Sequence, residues 1–240
     1  MRPVLLLFLI CLRITHIYST ILTKPFRCFL WDTTCLTALA QNIGPGYIQR
    51  IPELASVKLD PLEIDYLQLD QDGLIFEIKD TKVYGLNNLI IDELSASTNI
   101  SMGRILFRTD LLFTGLYKSN GSMFFQPMNG EGDYWVTLKN LEIELFAPYN
   151  IVKNVNGVDF LESSKYSFRH DVKDNAQFRF DNLYYGNTEL SELMHSLVNF
   201  NWKFVTSQYS RIFVSKVVDC MARAYRSYFQ LAPLKSLVEY

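Results

Sequence analysis

Hydrophobic and polar residues alternate with a period of two along the stretch from residue 61 to about residue 185. Leu62 and Ile64 alternate with the acids Glu63 and Asp65, and a further alternating run follows the turn signal Asp72-Gly73. Such paired runs predict antiparallel strands with one covered face. Other runs of this kind cover residues 100–108, 111–118, 135–145 and 177–183.

The period changes to that of a helix between residues 188 and 229, a stretch that contains neither glycine nor proline. Asn187 or Thr188 can cap its start, and a single helix over this span would be about 60 Å long. Phe200, Trp202 and Phe204 widen the apolar surface beyond one stripe, and a helix of that kind must be enclosed. The strand region before it is the available partner.

The predicted fold class is therefore α+β: a long C-terminal helix wrapped by a strongly curved antiparallel sheet. A short helix over residues 34–43, capped by Thr33 or Thr34 and stopped by the glycine at position 44, precedes the strands. No linker or repeat divides the chain, which predicts one domain.

The N-terminus has the pattern of a secretory signal peptide. Arg2 precedes an unbroken apolar run over residues 4–12, which is too short to cross about 30 Å of hydrocarbon. We predict cleavage near residue 20, with residues 1–20 as signal peptide and 21–240 as the secreted domain. Asn99 and Asn120 each begin an Asn-x-Ser tripeptide and are candidate glycosylation sites.

Three of the four cysteines lie beyond the predicted signal peptide. Cys28 and Cys35 are close enough to close a short disulfide loop in an oxidising compartment. Cys220 is then left over, and we expect a buried free thiol. The alternatives are a disulfide to a second chain and a reactive thiol.

Composition excludes several classes of protein. Hydrophobic residues make up 49% of the chain and charged residues 20%, with a formal net charge of −2. This argues against disorder, and no basic block is present, which argues against a nucleic-acid partner and against tight binding to anionic lipid. We expect a monomer without stable insertion into a membrane.

Recognisable catalytic and metal-binding patterns are missing from the sequence. His170 and His195 are the histidines outside the predicted signal peptide, and neither belongs to a cluster with metal-ligand spacing. His170-Asp171 could be half of a catalytic triad, but there is no Gly-x-Ser-x-Gly and no phosphate-binding loop. We predict no catalytic residues, no metal and no cofactor, and we keep a hydrolase as a distant third possibility.

Several short motifs follow the pair Cys28 and Cys35 in a fixed order. They are Arg50-Ile51-Pro52-Glu53-Leu54, Leu59-Asp60-Pro61-Leu62, Val83-Tyr84-Gly85-Leu86, Leu183-Tyr184-Tyr185-Gly186-Asn187 and Asn199-Phe200-Asn201-Trp202. Together they resemble the motifs of the insect takeout and juvenile-hormone-binding protein family. Arg50 stands where that family usually has glycine, and the match is closer to the takeout branch, in which a single disulfide is usual.

The resemblance implies a tubular lipid-binding fold with a hydrophobic tunnel between the helix and the sheet. Family members carry terpenoid or fatty-acyl-like molecules in secreted fluids. The sequence is therefore expected to encode a secreted carrier of an elongated hydrophobic ligand. The alternative is a secreted protein-interaction module of the same fold with a filled core.

Large apolar residues from both elements are the candidates for the tunnel wall. Period-two alternation does not say which face of the sheet is concave, so they are chosen by size and position. They are Phe76, Ile78, Ile105, Phe107, Phe113 and Trp135 from the strands, and Leu193, Leu197, Phe200 and Phe204 from the helix.

Overall fold

The computed structural model of the chain describes residues 27–44, 46, 50–51, 58–163 and 165–240. The predicted signal peptide lies outside these residues. So does the Pro-Glu-Leu part of the first family motif.

Antiparallel strands form the main sheet, as the alternating pattern predicts. Its strands are β2 (Leu62–Gln71), β3 (Leu74–Tyr84), β4 (Ile90–Ser97), β5 (Met102–Met123), β6 (Gln126–Pro127), β7 (Gly130–Pro148) and β10 (Ser167–Phe180), and a separate hairpin comprises β8 (Asn150–Lys153) and β9 (Asp159–Glu162). The strand order in the main sheet is β10-β7-β5-β3-β2, and β4 and β6 also pair with β5.

Strand β5 is one continuous strand, whereas the sequence predicted two separate strands at residues 100–108 and 111–118. It continues through Asp110 because β7 pairs with it on both sides of that residue. The register shifts there, and the neighbouring β7–β10 ladder shifts opposite Asn140. The Asp110 carboxylate holds this row of bulges by accepting hydrogen bonds at 2.8 Å from the Asn140 N–H and the Lys139 ammonium. Bulges bend a strand and increase its twist, so this row curves the sheet.

The short N-terminal helix, α1 (Thr33–Asn42), is confirmed, but its cap differs from the prediction. The Asp32 carboxylate, rather than Thr33 or Thr34, accepts from the Cys35 N–H at 3.0 Å. The disulfide between Cys28 and Cys35 is present and connects α1 to strand β1 (Cys28–Phe29). Strand β1 pairs in parallel with β11 (Val238–Glu239), so the two ends of the described chain meet.

The C-terminal helix is divided into three consecutive segments instead of being continuous. They are α2 (Thr188–Phe200), α3 (Trp202–Tyr209) and α4 (Arg211–Leu231), followed by the short α5 (Leu234–Leu237). Asn187 caps α2 as predicted, by accepting from the Leu190 N–H at 3.1 Å. The first interruption is at Asn201, whose side-chain amide donates to the Leu197 carbonyl at 2.8 Å.

Enclosure of this helix is less complete than its apolar composition predicts. Segment α4 buries one face, including Val214, Val217 and Val218. On α2, by contrast, Leu193 is 62% exposed and Phe200 is 88% exposed. One side of the helix therefore packs on the sheet, and an apolar row on the opposite side faces outward.

Two of the family motifs meet at the start of the sheet. The Asp60 carboxylate accepts from the backbone N–H groups of Gly85 and Asn87, at 3.2 and 2.8 Å. Gly85 has φ +112°, and a Cβ there would lie 2.0 Å from the Asp110 carbonyl oxygen. Glycine is required at this position because no side chain fits between the two strands.

The Asn-x-Asn-Trp motif attaches the helix to the edge strand β10. The Asn199 side chain accepts from the Phe178 N–H at 2.8 Å and donates to the Phe178 carbonyl at 3.0 Å. His195 accepts from the Phe180 N–H at 3.0 Å in the same way. These side chains satisfy backbone groups that an edge strand would otherwise leave unpaired.

Candidate functional site

Two apolar cavities lie between the helices and the concave face of the sheet. The larger, which we call the large cavity, has a volume of about 270 Å³. Its wall comes from α1, β4, the first half of β5, the second half of β7, the connection before β10, and the α4–α5 region. Its lining includes Leu30, Leu36, Leu234, Leu237 and Val238, which the β1–β11 pairing and the disulfide bring together.

The second space, which we call the small cavity, has a volume of about 80 Å³. It is lined by residues of β2, β3, the second half of β5, β7 and β10, and by the region where α3 meets α4. Aromatic rings fill much of this region: Phe76 stacks on Tyr117 and makes an edge contact with Phe180. The small cavity is therefore close to an ordinary packed core.

Fully buried residues separate the two cavities along every element that contributes to both. On β5, Leu111 lies between the lining residues Phe107 and Phe113, and on α4, Val214 and Val217 lie between Phe213 and Val218. We call this wall the septum: Leu111, Leu141, Ile143, Val214 and Val217, each at most 2% exposed. It lies where the row of bulges bends the sheet.

The structure brings together only part of the predicted tunnel wall. Ile105 and Phe107 line the large cavity, and Phe76 and Phe113 line the small one. Ile78 and Leu197 pack in the core and line neither cavity.

The remaining four predicted residues lie outside both cavities. Trp135 is 39% exposed and Phe204 50% exposed, and Leu193 and Phe200 are more exposed still. The physical reason is the alternation itself: Trp135 sits between Tyr134 and Val136, which both point inward to the small cavity, so its own side chain points out. On the helix, the inward face carries Met194 and Val198 instead.

Sequence reasoning missed the face of α4 that lines the large cavity. Val218, Ala222, Tyr225 and Phe229 follow one another at intervals of four, three and four residues and all line it. This helical spacing was available in the sequence, and it continues the apolar stripe beyond Val217.

Polar groups in the wall of the large cavity are few, and most are hydrogen-bonded within the fold. The Tyr225 hydroxyl donates to the Ile43 carbonyl at 3.0 Å, and burial raises its pKa. Arg104 donates to Glu144 and to Glu93, both at 2.6 Å. These groups therefore have protein partners.

A second set of polar groups lies where the connection before β10 meets α4. The Tyr166 hydroxyl donates to the Asp219 carboxylate. Burial and that carboxylate raise the pKa of Tyr166 to about 12, while the positive charges of Arg226 and Arg223 act in the opposite direction. Lys165 and Arg226 also line the large cavity here, so one part of an otherwise apolar wall carries positive charge.

His170 and Ser210 form a hydrogen-bonded pair beside the small cavity, with 2.8 Å between Nε2 and Oγ. A histidine at this distance from a hydroxyl resembles the base and nucleophile of a hydrolase. The Ser210 hydroxyl, however, donates to the Thr206 carbonyl at 2.5 Å. The imidazole must then donate to Ser210 Oγ, so it does not act as a base toward that hydroxyl. Burial, together with the nearby Arg211, lowers the pKa of His170 and keeps the ring neutral.

The described residues contain no group of three or more histidine, cysteine or acidic side chains placed to hold a metal ion. Within the same part of the chain, no helix has the length and apolar character needed to cross a membrane. Cys220 is half-buried, and its sulfur accepts from the Arg223 guanidinium at 2.9 Å.

Comparison with known proteins identifies the family to which this chain belongs. The model of the haemolymph juvenile hormone binding protein family matches residues 5–239. The chain belongs to this family, whose members bind hydrophobic ligands. The resemblance inferred from the motifs is thereby confirmed.

Individual relatives agree with this assignment. The crystal structure of Takeout 1 from Epiphyas postvittana superposes with a TM-score of 0.85 at 30% identity, covering 90% of this chain and 100% of that one. The circadian clock-controlled protein daywake of Drosophila melanogaster is 24% identical over 73% of this chain and 72% of its own length. The daywake protein of Drosophila yakuba is 22% identical over 85% and 81%.

Proposed function

We propose that this protein is a secreted carrier that holds an elongated apolar molecule in the large cavity. The observation that carries the proposal is the cavity itself: about 270 Å³ of space, enclosed between α4 and the sheet by an almost wholly apolar wall. A protein interior is normally packed without such voids, so a space of this size has a use. Binding would come from removing apolar surface from water, at roughly 25 cal/mol per Å² before the costs of association.

Secretion is part of the same proposal. It is supported by the pattern of residues 1–20, by the disulfide between Cys28 and Cys35, and by the two acceptor tripeptides. Asn99 and Asn120 are both exposed, as glycosylation requires. Mass analysis of the secreted protein would test both the cleavage near residue 20 and the attached sugars.

Filling each cavity in turn tests where the ligand binds. Ala222→Phe places a ring into the large cavity, and Val198→Phe does the same for the small cavity. We expect a neutral fluorescent dye, N-phenyl-1-naphthylamine, to bind the native protein at micromolar concentration or below. Ala222→Phe should weaken that binding at least about tenfold, since the site is occupied, while Val198→Phe should change it less than about threefold.

Extraction of the purified protein provides an independent measurement, because a carrier expressed in cells should retain lipid. A protein that carries no lipid and binds no dye would refute the carrier function. It would favour the second candidate, a secreted protein-interaction module. The exposed apolar row on the outer face of α2 and α3, with Leu193, Phe200 and Phe204, is the observation that supports that alternative.

A further inference from the structure

The outward-facing apolar row on α2 and α3 is part of a larger surface patch. Phe204 makes a ring contact with Phe124, with 5.5 Å between the ring centres, so the row continues onto the turn between β5 and β6. Phe125, the next residue of that turn, is fully exposed. We call this surface the phenylalanine patch: Leu190, Leu193, Phe200 and Phe204 from the helices, and Phe124 and Phe125 from the turn.

The β5–β6 turn holds its two phenylalanines in a backbone conformation that bulky residues rarely adopt. Met123 pairs with Gln126, so Phe124 and Phe125 form a two-residue hairpin turn, and their φ angles are +53° and +62°. Asparagine and glycine are the usual residues of such a turn, because a Cβ is crowded at positive φ. The Phe125 ring gains no burial in return. Strained residues of this kind concentrate at functional sites, so the ring indicates a contact made outside the chain.

The phenylalanine patch offers almost no free charge. Lys203 is the one lysine, arginine or acid in residues 193–209, and its ammonium is held by the Asp171 carboxylate at 2.6 Å. The acids Glu189 and Glu192 are exposed at the start of α2, where they would repel an anionic surface. The outer face of α4 carries exposed arginine and lysine instead, as a solvated helix normally does. The surface that complements this patch is therefore apolar or zwitterionic.

A neutral lipid surface matches the patch better than a second protein does. A specific protein interface carries about one hydrogen bond for every 100–200 Å². Two of the polar side chains beside the patch, Lys203 and Ser207, already donate within the fold, the latter to the Phe204 carbonyl at 2.9 Å. A bilayer surface requires no directed hydrogen bonds, and phenylalanine and leucine side chains enter the boundary between its head groups and acyl chains to a depth of about 5–10 Å.

We propose that the phenylalanine patch docks the protein reversibly on a neutral phospholipid bilayer, with α2 and α3 lying in the plane of the surface and Phe125 inserted among the head groups. The opposite side of these helices stays in the core, since Val198 and Val205 line the small cavity. No member of the patch lines the large cavity. Docking is thus an interaction separate from the binding of a ligand inside the protein.

Cosedimentation of the full chain with vesicles of phosphatidylcholine tests the proposal. We expect the native protein to bind, and replacing a third of the lipid by phosphatidylserine should strengthen binding less than about twofold, because the patch supplies no positive charge. Phe200→Gln and Phe125→Asn should each weaken binding at least about fivefold, since each removes an exposed ring that the lipid would bury.

Melting temperatures of the same variants show whether weaker binding reflects lost structure. Asparagine tolerates positive φ, so Phe125→Asn should keep or raise the melting temperature while it weakens docking. Val155→Asn is the matched control. Val155 is also fully exposed, but it lies at the tip of the β8–β9 hairpin and outside the patch. This substitution should leave vesicle binding within about twofold.

Several results would overturn the proposal. They are failure of the native protein to bind phosphatidylcholine, binding that requires phosphatidylserine, and binding that survives Phe200→Gln and Phe125→Asn together. Sedimentation velocity without lipid addresses a second copy of the chain: a dimer that Phe200→Gln dissociates, with no vesicle binding, would assign the patch to self-association. A monomer that binds no vesicles would favour a different protein as the partner. The dye measurements that test the carrier function are independent of all these outcomes.

Discussion

The septum sets the length of the space available to a ligand, and shortening one of its side chains should change that length. Leu141 is fully buried on β7 between Leu138, which lines the small cavity, and Leu145, which lines the large one. Leu141→Ala removes three carbon atoms from the wall between the two spaces. The large cavity then extends toward the small cavity behind it.

Two effects of opposite sign are expected from Leu141→Ala. The variant loses apolar burial and gains a cavity, so its free energy of unfolding should fall by about 3 kcal/mol, as for other leucines truncated in a core. A ligand long enough to fill the vacated space recovers part of this at about 0.8 kcal/mol for each methylene buried. Space for three carbons thus allows a longer ligand to gain up to about 2 kcal/mol of binding free energy in the variant, or roughly thirtyfold in affinity.

Urea unfolding and dye displacement measure the two effects separately. The quantity of interest is the affinity of pentadecanoate, which is three carbons longer, relative to that of dodecanoate, in the native protein and in the variant. Leu86→Ala is the control, because Leu86 is as deeply buried but lines neither cavity. It should lose similar stability with no change in that ratio. If Leu141→Ala also leaves the ratio within about twofold, the septum does not limit ligand length.

Two further predictions concern stability. Replacing Cys28 and Cys35 by serine opens a short loop and should cost about 2.5 kcal/mol on the chain-entropy model, measured by urea unfolding; a loss below about 0.5 kcal/mol would contradict this. Burial lowers the pKa of His195 below its ordinary 6.5, so the unfolded chain takes up a proton before the folded one and the unfolding free energy should fall from pH 7 to pH 5. His195→Gln, which keeps an acceptor for the Phe180 N–H, should flatten that dependence, and an unchanged slope would refute the assignment.

Local sequence patterns predicted most of the fold because the backbone geometry of strands and helices sets the spacing of their apolar residues. Alternation identified β2 and β3, joined by the Asp72-Gly73 turn as expected, and parts of β5, β7 and β10. The predicted runs did not include β4 or the β8–β9 hairpin. The sequence could not show that β5 passes through Asp110, since this depends on pairing with β7, a partner distant along the chain. Nor could it show the break in the helix at Asn201, where a side chain competes for a backbone carbonyl.

The site was harder to predict than the fold, and the residues show why. A period of two assigns Tyr134 and Trp135 to opposite faces but does not say which face is concave. The larger residue was chosen, and the structure exposes it. Nothing in the sequence marks Lys165 and Arg226 as residues that line the large cavity, because they lie far apart along the chain and meet only where the β9–β10 connection packs near α4.

The motif residues described above and the residues that line the large cavity are largely different sets. Asp60, Gly85, Asn187 and Asn199 cap, turn or attach elements, and none of them lines either cavity. The wall is made of interchangeable apolar side chains, which cores tolerate exchanging when their volume is kept. Substitutions in the cavity wall therefore change the shape of the space without breaking the hydrogen bonds of the motif residues. The size and shape of the molecule that fits can change while the fold stays the same.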